Sequence, residues 1–130
     1  MTPFTALAKL AGLSHKEAAE FHGVREQQCK DMSSGRRSTP PGIIAELLQL
    51  IGRQEAAAKL AQSEADSRGS DVITLERPAD DVEAKALGWP CVGAWGAMVA
   101  RVIAASPHPV AFVPYGAAAD AASETPLPRL

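Results

Sequence analysis

The chain has too little cysteine, histidine and net basic charge, and too few long apolar runs, for several classes of protein. It has only two cysteines, Cys29 and Cys91, far apart and outside any CxxC pair, and no cysteine or histidine spacing suits zinc. Both read as buried or half-buried thiols. No apolar run approaches the ~18 residues of a membrane helix, and there is no signal-peptide pattern. The expectation is a soluble, cytoplasmic protein with no membrane partner. The three histidines, His15, His22 and His108, have no carboxylate or nucleophile arranged around them. No enzymatic activity is expected on that ground, and no metal or cofactor is implied. A strong positive charge is missing too: the net charge is −2, divided as +1 over residues 1–70 and −3 over residues 71–130. Any phosphate-facing side belongs to the first half, and its patch is weak.

At 130 residues with 46% hydrophobic content, the chain fits one or two small domains and is not disordered throughout. So small a core is more easily completed by dimerisation than built around a deep cleft.

The most informative stretch is 13–35, LSHKEAAEFHGVREQQCKDMSSG. Ser14 followed by Glu17 forms a capping box, so a helix starts at His15. Ala18, Ala19 and Phe21 lie on its inner side. Gly23 interrupts it with the residue best able to take a left-handed turn. Val24, Cys29 and Met32 then form a second inward set, while Arg25, Gln27, Gln28, Lys30 and Asp31 project outward, and Gly35 closes this helix.

Ala19, four residues before Gly23, supplies the small contact that a steep helix crossing needs. Together with Cys29, six residues after the glycine, it makes the segment resemble the lambda-repressor-like, Cro-type helix-turn-helix family. The resemblance covers roughly residues 4–51. It implies a first helix over 4–11, a second over 15–22, a recognition helix over 25–33 that docks in the major groove, and a fourth from 41 onward. Gly35-Arg36-Arg37 followed by Pro40 resembles that family's exit from the recognition helix. Two positions depart from the family pattern. His15 stands where members often carry a glutamine that braces a phosphate and the recognition helix; imidazole can still donate to phosphate, with a pH-dependent strength. Ser33 stands where many carry glutamate, so the usual structural bond is not expected there.

Beyond the loop 38–42, Ile43, Ile44, Leu47, Leu48, Leu50 and Ile51 form an apolar stripe that thins through Ala57, Leu60, Ala61 and Ala65. The first half of this helix is expected to complete the helix-turn-helix core, and the second to project as a connector ending at 68–70. Short strands are predicted over 71–76 and 110–113, with helices over 79–87 and 92–105 between them. The fold class expected is mainly α: a helix-turn-helix bundle of four to five helices with a small α+β dimerisation part. The division is 1–68 for DNA binding, 69–115 for dimerisation and 116–130 as a flexible tail. The order of elements over 71–105, with Trp95 on an amphipathic helix, also resembles the dimerisation half of some anti-CRISPR-associated autoregulators of phages and mobile elements.

The function expected is a sequence-specific transcriptional regulator, a dimeric repressor or autorepressor on an inverted-repeat operator in double-stranded DNA. Two other readings are an antitoxin whose C-terminal half masks a toxin, and a protein-interaction module with a degenerate helix-turn-helix. Gln27 and Gln28 are the candidate base readers, since an amide pairs bidentately with adenine. Arg25 or Lys30 would take guanine or a phosphate, and Arg36 and Arg37 would clamp phosphates. Ser34 adds either a hydroxyl contact or a helix cap. His15 completes the DNA-binding set. Val72, Ile73, Leu75, Trp95, Val99, Val102, Ile103 and Phe112 are expected at the dimer interface, because 71–113 holds more apolar surface than so short a stretch can bury against itself.

Overall fold

The structure is a computed structural model and describes residues 1–117; most of the expected tail, 118–130, lies outside the described residues. The fold is mainly helical with a small two-stranded sheet. In order come α1 (Pro3–Ala11), α2 (His15–His22), α3 (Glu26–Ser34), α4 (Pro41–Ser67), β1 (Ile73–Arg77), α5 (Asp81–Ala86), α6 (Val92–Ala105) and β2 (Val110–Pro114).

Local chemistry accounts for most boundaries. Thr2 caps α1 and Pro3 opens it, where a missing N–H costs nothing. Ser14 and Glu17 complete the capping box of α2, and Gly23 ends that helix at φ +70°. Asp80 caps α5 through the Glu83 N–H. Helix α6 has no cap from its own N-cap residue, Cys91. Its Val92 N–H is taken instead by Asp81 Oδ1 at 2.9 Å, so α5 supplies the acceptor that α6 lacks.

The second half of α4 departs from the expected projecting connector. Gln54, Ala58 and Ala65 are buried, and α4 and α6 pack against each other. The reason is the alanine face itself, since small side chains let a neighbouring helix come close. One hydrophobic cluster consequently runs from Phe4, Met32 and Leu47 through Ala58 and Ala65 to Ile73, Trp95, Val99 and Val102. The expected division at 68/69 therefore does not separate two cores.

That packing also corrects half of the expected dimer interface. Ile73, Trp95, Val99 and Val102 are buried within the chain, where α4 covers what 71–113 cannot cover by itself. Leu75 is half-buried, and Val72, Ile103 and Phe112 remain exposed. Trp89 is buried too, with the Arg53 guanidinium 5.2 Å over its ring.

The strands are parallel, with Ile73 beside Val110, Leu75 beside Phe112 and Arg77 beside Pro114. Helices α5 and α6 form the crossover that a parallel pair requires.

Candidate nucleic-acid interface

Helices α2 and α3 pack against each other across the Gly23 turn, with Ala18, Ala19, Cys29 and Met32 buried. Val24 is half-buried beside them, as its spacing predicts. Phe21, the third inward residue expected on α2, is also half-buried. The opposite side of α3 exposes Arg25, Glu26, Gln27 and Lys30.

The position of α3 is set from two directions. His15 Nε2 lies 2.8 Å from Ser33 Oγ, so the start of α2 is tied to the end of α3. The hydroxyls of Thr2 and Thr5, at the start of α1, both donate to the Ser33 carbonyl at 3.2 Å. The two residues that depart from the expected pattern, His15 and Ser33, are thus bonded to each other. A double-mutant cycle of His15→Ala and Ser33→Ala is expected to give a coupling energy of about 0.5–1.5 kcal/mol in urea unfolding. Strictly additive losses would remove the bracing role.

Four of the eight predicted contact residues come together. Arg25, Gln27, Gln28 and Arg37 line one open concavity with Gly23, Val24 and Asp31. Gln28 is half-buried on its wall. Gln27 Nε2 donates to Asp31 Oδ1 at 3.0 Å, a bond between residues one helical turn apart that commits one of its two amide hydrogens. Lys30, Ser34 and Arg36 are exposed outside that concavity, and His15 lines a separate recess with Ser14 and Ser33.

The exit from α3 is held by its own backbone. Arg37 N–H donates to the Asp31 carbonyl at 3.1 Å, and Gly35 takes φ +83°. Ser34 Oγ donates to the same carbonyl at 3.1 Å and accepts from Arg36 N–H. Of its two expected roles, Ser34 plays the helix-end one here. Arg36 approaches Asp31 only at 4.0 Å and is largely in solvent, so its charge remains available.

Two features had no signal in sequence. Thr2 and Thr5, at the start of α1, brace Ser33. His22 is fully buried in its side chain, against Phe4 and Phe21, with Nδ1 3.4 Å from Glu46 Oε1. Neither cysteine is poised for chemistry. Burial, aided by Glu26, raises the Cys29 thiol. Burial pushes Cys91 up to about 11 against a lowering hydrogen bond from Ala94, and Glu17 and Asp81 add to the rise. Among the described residues, no helix is long and apolar enough to cross a membrane. No family model, no curated protein and no solved structure matches this chain.

Proposed function

We propose that the protein is a sequence-specific DNA-binding transcriptional regulator that acts as a dimer and represses by occluding an inverted-repeat operator. The observation that carries the reading is the bracing of α3. Its end is bonded to both α1 and α2 through Ser33, while its outer side stays open and gathers Arg25, Gln28 and Arg37. A helix held this way can enter a major groove without reorganising, and its glutamine and arginine side chains match base edges and phosphates.

The roles within the set are distinct. Gln28 is the principal base reader, because the Gln27 side chain is held toward Asp31 by one of its amide hydrogens. Arg36 and Arg37 take phosphates and carry no direct sequence information. Titrating DNA from upstream of the protein's own gene tests this. Gln28→Ala is expected to cost about 1–3 kcal/mol on the cognate site and more than Gln27→Ala, with little change on random DNA. Arg37→Ala should weaken both equally and lower the salt slope by about 0.9. Equal losses for Gln28→Ala on cognate and random DNA would defeat the base-reading assignment. Footprints should come in pairs with centres about one helical turn, ~34 Å, apart.

A further inference from the structure

The β1–β2 pair is an incomplete sheet among the described residues. Its register, with Ile73 N–H donating to the Pro109 carbonyl and Tyr115 N–H to the Arg77 carbonyl, turns the backbone groups of Ala111 and Val113 toward β1. Those of Val110 and Phe112 therefore face away, along an outer edge. The two edges of the sheet differ in character. Strand β1 carries Glu76 and Arg77, and charge is a common guard on an edge strand. Strand β2, VAFVP, carries no charge, and its Phe112 is 42% exposed although it lies against Trp95, with ring centroids 5.7 Å apart.

We propose that a second copy of this chain completes the sheet, its β2 pairing antiparallel with β2 of the first about a twofold axis at Ala111. In this register Val110 of each copy faces Phe112 of the other and exchanges both backbone hydrogen bonds with it, four in all. No donor or acceptor of Val110 or Phe112 is left over. The ladder ends where the chain ends it: Pro114 has no N–H, and His108, which would face it, already gives its N–H to Ser106 Oγ at 3.1 Å. A register centred on Phe112 would set the Val110 carbonyl against that proline and leave it unpaired. Ala111 sits at the axis as a non-hydrogen-bonded pair, the closer of the two pair types, and its small side chain on the outer face permits the approach. Val110 of each copy meets Phe112 of the other on the sheet face that carries Trp95 and covers the exposed phenylalanine ring.

The inference rests on the dimeric reading above. It is measured on free protein, whereas base reading is measured on DNA, so either can fail alone. Light scattering of the full chain at micromolar concentration should give twice the 13.6 kDa chain mass. Ala111→Lys, at an exposed position outside the core, should stay folded and weaken self-association about tenfold or more by setting like charges against each other. Ala111→Cys should cross-link under mild oxidation, because the paired Cα atoms lie within disulfide range, and Thr74→Cys on β1 should not. A single-chain mass for the full chain overturns the proposal, as does a dimer unaffected by Ala111→Lys or a cross-link at Thr74→Cys alone. Hydrogen exchange covers the other occupant. If Val110 and Phe112 amides are protected in a monomer and deletion of 118–130 exposes them, the chain's own tail holds the edge and the proposal falls.

Discussion

Gly12→Ala is expected to destabilise the protein by about 2–5 kcal/mol, a large share of the ~5–15 kcal/mol that holds a domain of this size together. Gly12 ends α1 at φ +81°, where a side chain costs energy by itself. A Cβ there would also fall inside contact distance of the Gly93 carbonyl oxygen, and a Cβ on Gly93 would meet the Gly12 carbonyl oxygen in turn. Both obstructions are backbone and cannot swing aside. Gly23 separates the two terms, since it has φ +70° with nothing among the described residues within 4 Å of an added Cβ. Gly23→Ala should therefore lose only the conformational part, roughly 1–2 kcal/mol. Urea midpoints check both variants. Equal losses at the two positions would mean that the approach of α1 to α6 is not as close as described.

Gln54→Glu should cost about 3–5 kcal/mol at pH 7, more than Gln54→Leu at about 1–3 kcal/mol. Gln54 is fully buried on α4, and its Nε2 donates to the Ala11 carbonyl at 2.9 Å and the Ala94 carbonyl at 3.0 Å. It thereby ties the end of α1 to α6, while its own Oε1 has no partner among the described residues. Leucine forfeits those two bonds but leaves no stranded amide oxygen. A carboxylate would be buried against two carbonyl oxygens, so its folded-state pKa must rise above the unfolded value near 4.3. A raised folded pKa fixes the sign. The variant keeps its stability below the unfolded pKa and loses it as pH climbs through the folded one, so its deficit relative to the native chain should shrink toward pH 4. A deficit independent of pH would show that the site is open to water.

Short-range chemistry was legible from residue order. The Ser14–Glu17 box, the turn at Gly23, the stop at Gly35 and the proline start of α4 are interactions over a few residues, and the helices they bound appear within a residue of expectation. Helix α6 matches its predicted span, because an apolar stripe one helical turn wide has one reading. Strand β1 begins two residues later than expected, and α5 is shorter at both ends, since short elements take their limits from their neighbours.

The candidate site divides in the same way. The outward direction of Arg25, Gln27 and Lys30 follows from helical periodicity alone. That His15 and Ser33 would find each other, that Gln27 would commit an amide hydrogen to Asp31, and that Ser34 would turn back on its own helix depended on side-chain reach across a gap the sequence does not state.

By itself, then, the sequence determined the helices, their caps and which side of α3 faces outward, because these depend on residues a turn or two apart. Only the tertiary structure decided that both halves share one core, that Ile73, Trp95, Val99 and Val102 are covered by the chain itself, and that the strands are parallel with one uncharged edge. An apolar face specifies that it will be buried. What buries it depends on a distant partner, here an alanine-lined α4 with Gln54 as its polar link, and no local pattern encodes that choice.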